Sequence, residues 1–189
     1  MPPFVNTFFE ERLQDLFDLA ARVEKAFGAA GIEYRVAGGL AAYLYVAEAE
    51  PDAGRLTKDI DIVVRREDLP RIAEAVERFD LEYRRVAGED LLAQKGKPLA
   101  RRAVHMIFES ERVRPEYSEP TPELEAGRTI QGIPVVPLAD LVTMKLTSFR
   151  AKDEAHIKDL DEQKLITPEI EAGLPPLLRE RLAQARARN

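Results

Sequence analysis

The feature that most constrains the fold of this chain is a pair of aspartates inside an apolar run. Segment 58–64 (KDIDIVV) alternates polar and apolar residues and then ends in two apolar residues, a pattern that predicts a β-strand. On a strand, Asp59 and Asp61 would point the same way, with side chains roughly 6 to 7 Å apart. Burying two carboxylates among isoleucine and valine side chains is unfavourable without a cation. The segment therefore predicts a site for a hard metal ion bound through oxygen.

A second feature lies upstream, where a strand is followed by a helix. Residues 33–37 predict a short strand, Gly38 and Gly39 interrupt it, and residues 40–49 predict a helix. Glycines at such a junction let the backbone approach a phosphate closely, and the amino end of the helix favours negative charge. By itself, the pair of glycines equally fits a tight turn without a ligand.

The rest of the chain predicts a mixture of helices and strands. Helices are predicted over about 8–27, 67–79, 137–149 and 153–164 and after Pro176, strands over 81–86 and 101–109, and a hairpin over 128–136. Segment 87–100 is ambiguous and is predicted as a loop, and 112–127 as an irregular crossing. The predicted fold class is α/β (α+β), with a small mixed sheet flanked by helices. We expect a core with an N-terminal helix over 1–136, and a C-terminal helical segment over 137–189 packed on that core.

Composition narrows the classes of function. The 189 residues contain no cysteine, which excludes disulfides, thiolate metal sites and a cysteine nucleophile. The chain has no apolar run of the length that spans a bilayer and no signal-peptide pattern, so we expect a cytoplasmic protein without a membrane partner. A net charge of −6 argues against broad binding to duplex nucleic acid. Arginines in the middle of the chain and in the tail from Arg179 to Arg188 would either be solvated or face phosphates.

Taken together, "VAGGLAAYLYV" and "RLTKDIDIVV" resemble the nucleotidyltransferase signature of the DNA-polymerase-beta-like superfamily. That signature is a Gly-Gly or Gly-Ser turn, a helix, and then a strand that carries Asp-x-Asp. Three features resemble the AbiEii-like branch of toxins. They are Thr57 and Lys58 just before the aspartates, Lys145 in a Leu-x-x-x-Lys helix, and the basic-acidic run from residue 150 to 160. The resemblance covers roughly residues 31–165.

The resemblance implies a mechanism and a set of ligands. Asp59 and Asp61 would hold Mg²⁺ or Mn²⁺, which would clamp the phosphates of a nucleoside triphosphate. Contacts to the nucleotide and its phosphates would come from Gly38, Gly39, Thr57, Lys58 and Lys145. The reaction would move a nucleoside monophosphate onto a hydroxyl of a protein, a tRNA or a small molecule. The AbiEii-like branch implies an antitoxin protein as a further partner.

Two departures from the signature leave alternatives open. The gap from residue 40 to residue 58 is longer than is typical. Active members also carry a third carboxylate on a neighbouring strand, where this chain has His105; Glu109 lies on the same face about 13 Å further along. His105 would act as the general base, ligate another metal, or mark a catalytically degenerate binding module. The second histidine, His156, is expected on the surface of a polar helix.

Overall fold

The computed structural model describes residues 3–55, 57–97, 103–124 and 127–188, with side chains from residue 13 onward. The strands of these residues are β1 Arg35–Ala37, β2 Ile60–Val64, β3 Leu81–Val86, β4 Glu89–Gln94, β5 Ala103–Phe108, β6 Arg128–Ile130 and β7 Ile133–Val135. The α-helices are α1 Pro3–Ala30, α2 Gly38–Ala49, α3 Leu69–Val76, α4 Leu138–Ser148, α5 Ala151–Glu162, α6 Pro168–Gly173 and α7 Pro176–Ala187, and short 3₁₀ turns cover Arg66–Asp68 and Glu77–Phe79. The predicted α/β (α+β) fold is confirmed.

The strands form one mixed sheet in the order β3-β4-β5-β2-β1-β7-β6. Strand β2 lies in the middle, parallel to β5 and antiparallel to β1. At the two ends of the sheet, β3–β4 and β6–β7 are antiparallel hairpins. Asp61 on β2 is therefore at the centre of the sheet, where each neighbouring strand adds side chains beside it.

Segment 87–100, which is ambiguous in the sequence, is not a loop throughout, because β4 occupies 89–94. The hairpin turn is Ala87-Gly88, with φ values of 52° and 87°, and two positive φ values are typical of a type I′ turn. The β6–β7 hairpin uses Gln131-Gly132 in the same way, with φ values of 51° and 78°. Alanine and glutamine are unusual first residues in such turns, so the sequence carries only a weak signal for them.

Helix α2 is the centre of the core. Every residue from Gly39 to Ala47 is buried, because this helix is apolar around its whole circumference and not on one face only. It contacts the sheet through β1 and β2, and it contacts α4 and α5 on the other side. Its amino end is therefore held rigidly between the central strands and the C-terminal helices.

The C-terminal helices are tied to one another by arginines. Arg181 Nη1 donates to the carbonyl oxygens of Leu146 and Thr147, both at 2.7 Å, and so satisfies the end of α4. The tail also forms ion pairs: Arg186 with Asp161 and Glu171, and Arg188 with Glu154. These tail arginines contact the protein's own groups.

The division of the chain near residue 136 stays a prediction. Within the described residues, no helix is both long enough and apolar enough to cross a membrane.

Candidate functional site

Gly38 lies directly against the second aspartate. In the β1–β2 pairing, Ala37 is opposite Asp61, and Gly38 follows as the first residue of α2 with φ +64°. A Cβ at Gly38 would lie only 1.8 Å from Asp61 Oδ2. Glycine is required here both by the left-handed backbone and by the lack of space. The structure thus brings the carboxylate of Asp61 to the amino end of α2, as the combined signature predicted.

Gly39 leaves room for two further side chains. A Cβ at Gly39 would lie 2.5 Å from Thr57 Oγ1 and 3.5 Å from His156 Cε1. Thr57 Oγ1 also donates to the backbone oxygen of Asp59 at 3.3 Å. Thr57 therefore ties the first aspartate to the glycine turn, and helix α5 covers the turn from the other side.

The two aspartates are not both on the strand. Strand β2 begins at Ile60, so Asp59 lies in the bend before it, and the prediction of one strand over 58–64 is wrong at its start. Both aspartates are half-buried, and both line the same cleft. Lys58 is exposed and does not line the cleft. The change in direction before β2 turns this lysine away from the position that the resemblance implied.

His105 is the neighbour of Asp61 on β5. The parallel β2–β5 register pairs these two residues, so their side chains lie on the same face of adjacent strands, which are roughly 4.8 Å apart. His105 Nδ1 is 3.5 Å from Glu89 Oε2 on β4. Glu109 lies elsewhere: it accepts a hydrogen bond from the Leu124 backbone at 2.9 Å. His105, in contact with Glu89, thus occupies the position where a third carboxylate was expected.

Lys145 reaches the cleft from α4 as half of a buried ion pair. Its Nζ is 3.1 Å from Asp153 Oδ1, and the two side chains are 5% and 0% exposed. Asp153 also accepts hydrogen bonds from Ser148 Oγ at 2.8 Å and Arg150 Nε at 2.7 Å. Three residues therefore donate hydrogen bonds to one enclosed carboxylate, and Lys145 has little freedom to move.

The pKa values of the pair follow from this enclosure. Burial lowers the pKa of Lys145, while the charges of Asp153 and Asp61 act in the opposite direction. Burial would raise the pKa of Asp153, but the hydrogen bond from Arg150 and the charge of Lys145 outweigh it and bring that pKa to about 2. Asp153 is therefore ionised at neutral pH. Lys145 and Asp61 both line the cleft, so the lysine and the aspartate site share one space.

The prediction that His156 lies on the surface is wrong. This side chain is 9% exposed, and burial followed by the charge of Lys145 lowers its pKa to about 4. Helix α5 is polar, but Asp153, His156 and Asp159 on one side of it are buried. The sequence analysis treated this polar helix as exposed to solvent. It therefore did not identify Asp153, Arg150 and His156 as parts of the site. The only signal for them was the basic-acidic run from residue 150.

These groups line one cleft of about 360 Å³, a volume in the range of small-molecule sites. One wall is formed by the glycine turn, the aspartates and the α4–α5 side chains, and the other includes Arg66 and the segment from Glu111 to Thr121. Arg112 and Arg114 line the cleft and are both exposed, and a role in facing phosphate stays a prediction. Arg101 and Arg102 fall outside the described residues.

The donor set fits a metal that is also held by its substrate. Among the described residues, no group of three or more His, Cys, Asp or Glu side chains is placed to hold a metal ion. Two carboxylates together with substrate phosphates are, however, the ligands that Mg²⁺ takes at nucleotide sites. Asp59 and Asp61 on one cleft, with no Cβ at Gly38 to obstruct Asp61 Oδ2, meet that requirement.

The fold is similar to that of nucleotidyltransferase structures. Among solved structures, an antigenic nucleotidyltransferase-like protein from Paracoccidioides brasiliensis is 20% identical, with a TM-score of 0.58 over 92% of this chain and 89% of that chain. ANT(2")-Ia in complex with adenylyl-2"-tobramycin is 14% identical, with a TM-score of 0.55 over 90% of this chain and 96% of that chain. No protein-family model and no curated protein sequence matches the chain. These similarities show the fold, and membership of the nucleotidyltransferase superfamily stays a prediction. The AbiEii-like assignment stays a prediction.

Proposed function

We propose that this protein is a metal-dependent nucleotidyltransferase that moves a nucleoside monophosphate from a nucleoside triphosphate onto a hydroxyl group. The observation that supports the proposal most directly is the meeting of three features on one cleft. These are the Gly38–Asp61 contact, the nearby Asp59, and the Lys145 side chain held by Asp153. A purely structural domain has no need for two half-buried carboxylates beside a buried lysine.

Each group has a role that follows from its chemistry. The amino end of α2 and Lys145 would bind phosphate oxygens, the helix through its free N–H groups and the lysine as a point charge. Asp59 and Asp61 would hold the divalent metal. When bound, that metal would stabilise charge on the attacking and leaving oxygens. His105, oriented by Glu89, would accept the proton of the attacking hydroxyl.

The decisive test is calorimetric titration of each nucleoside triphosphate with Mg²⁺, with Mn²⁺ and with chelator. We expect metal-dependent binding by the parent protein and its loss in Asp59→Asn and Asp61→Asn. Asp52→Asn is the matched control, because Asp52 is exposed in the loop before the site and does not line the cleft. Equal binding by all four proteins would show that the aspartates are not the nucleotide site.

A second candidate is a binding module that keeps the nucleotide but lacks turnover. The observation that favours it is His105, which pairs in register with Asp61 where a third carboxylate was expected. If the parent binds nucleotide but transfers nothing, and His105→Asp gains transfer, the module is the better description. Loss of an existing activity in His105→Ala would support the transferase instead.

The acceptor is open among a protein, a tRNA and a small molecule. One neighbour was solved with adenylyl-2"-tobramycin, so a small-molecule hydroxyl belongs in the first screen. We place the reaction in the cytoplasm, where nucleoside triphosphates are supplied. On the basis of the AbiEii-like resemblance, we further propose that the protein is a toxin with an antitoxin partner. Growth arrest on expression of the parent, absent with Asp61→Asn, is the result expected of a toxin. Normal growth with soluble, nucleotide-binding parent protein would refute it.

A further inference from the structure

His156 occupies an unusual position for a titratable side chain. It is enclosed beside the amino end of α2, and its Cε1 faces the space that a side chain at Gly39 would fill. Thr57 Oγ1 faces the same space from the other side. Helix α2 has no side-chain cap, so its first N–H groups are free to bind a ligand there. An imidazole, a hydroxyl and a helix end thus converge on one point of the cleft.

The hydrogen-bond environment assigns the tautomer of His156. Its Nδ1 is enclosed and has no hydrogen-bond partner in the described part of the chain. A buried N–H without an acceptor is rarer in proteins than a buried acceptor without a donor. The proton of the neutral ring is therefore on Nε2, the other nitrogen bonded to Cε1. His156 lines the cleft, and because Nδ1 is enclosed, Nε2 is the nitrogen from which the ring would donate to a ligand there.

The surroundings keep the ring uncharged. Burial disfavours the imidazolium, as do the nearby charges of Lys145, Lys152 and Arg55, and only Asp153 acts in the opposite direction. His156 therefore differs from Lys145 and Arg150 on the same side of the cleft. It supplies a hydrogen-bond donor at neutral pH without adding a further positive charge.

We propose that the neutral imidazole of His156 donates a hydrogen bond from Nε2 to a phosphate oxygen of the nucleoside triphosphate bound at the amino end of α2. The inference rests on the proposed function and adds to it a substrate contact from α5. Phosphate is the favoured acceptor because the converging N–H groups of α2 are donors as well. A nucleobase or a ribose would not need so many donors at one point.

Three substitutions separate this contact from a merely structural role. His156→Gln places an amide N–H near the position of Nε2, and His156→Asn places one near the position of Nδ1. His156→Leu removes both. The ligands to titrate, with Mg²⁺ present, are the tightest-binding nucleoside triphosphate and inorganic tripolyphosphate, which has the phosphates but no base or ribose. Thermal unfolding of each variant reports its folding.

We expect His156→Gln to bind both ligands within about threefold of the parent. His156→Asn and His156→Leu should lose about tenfold to a hundredfold, the range for one hydrogen bond to a charged group. If His156→Leu does not fold, the comparison of Gln with Asn alone decides. A loss confined to the nucleotide, with tripolyphosphate unchanged, would overturn the assignment to phosphate.

The failure of this inference can be told apart from failure of the proposed function. If the parent binds triphosphate in a manner that depends on Asp61, and all folded His156 variants bind equally well, the contact is refuted while the function stands. If the parent binds neither ligand, both proposals are refuted.

Discussion

Replacing Gly38 by alanine would place a methyl group 1.8 Å from Asp61 Oδ2, a separation that no real Cβ shows. The φ of +64° would cost an alanine about 1 to 2 kcal/mol in addition. Moving the Asp61 side chain off its rotamer to make room costs about 0.5 to 1.5 kcal/mol. We therefore expect Gly38→Ala to lower the free energy of unfolding by about 2 to 3 kcal/mol. Because the displaced group is a carboxylate of the site, metal-dependent nucleotide binding should be lost as well.

Gly31→Ala is the matched control for this experiment. Gly31 has a similar φ of +61°, but a Cβ there would meet nothing within 4 Å. This variant should show only the backbone cost, about 1 to 2 kcal/mol, and should bind nucleotide like the parent. Urea unfolding and calorimetric titration of both variants measure the two effects separately. If Gly38→Ala binds as well as Gly31→Ala, Asp61 does not need its contact with the glycine, and our account of the site is refuted.

Three further changes test the surroundings of the site. Asp153→Ala removes the partner of a buried lysine and should cost about 3 to 5 kcal/mol in urea unfolding; a cost below 1 kcal/mol would mean that Lys145 finds water or another partner. Arg181→Gln should cost about 1 to 2 kcal/mol through the lost bonds to α4, whereas Arg179→Gln should cost almost nothing. The third change is in pH. The pKa of His156 in the folded chain is about 4, below its ordinary value of 6.5. Between these two pH values the unfolded chain therefore binds more protons than the folded chain. The free energy of unfolding falls as the pH is lowered from 6.5 towards 4. At about 1.36 kcal/mol per pKa unit, the loss reached at pH 4 is about 3 kcal/mol. A His156→Gln variant with the same pH dependence as the parent would contradict this prediction.

The sequence by itself determined the local elements that carry the first part of the site. The alternation around Asp59 and Asp61 and the glycines before α2 are local patterns, and their physical causes act over a few residues. A strand points alternate side chains to one face, and glycine accepts the positive φ that the turn requires. Lys145, which entered the predicted site only through the resemblance, lies among the residues that line the cleft.

Only the tertiary structure decided which distant residues complete the cleft. The register that sets His105 beside Asp61 depends on how two strands more than 40 positions apart pair. The burial of Asp153 and His156 depends on α5 packing against α2 and α4. The polarity of a side chain shows what it would cost to bury, but not whether other elements enclose it. In the folded chain, hydrogen bonds from Lys145, Arg150 and Ser148 offset the unfavourable burial of the Asp153 carboxylate. These partners come together because α4 ends in a left-handed turn at Phe149 and α5 starts two residues later.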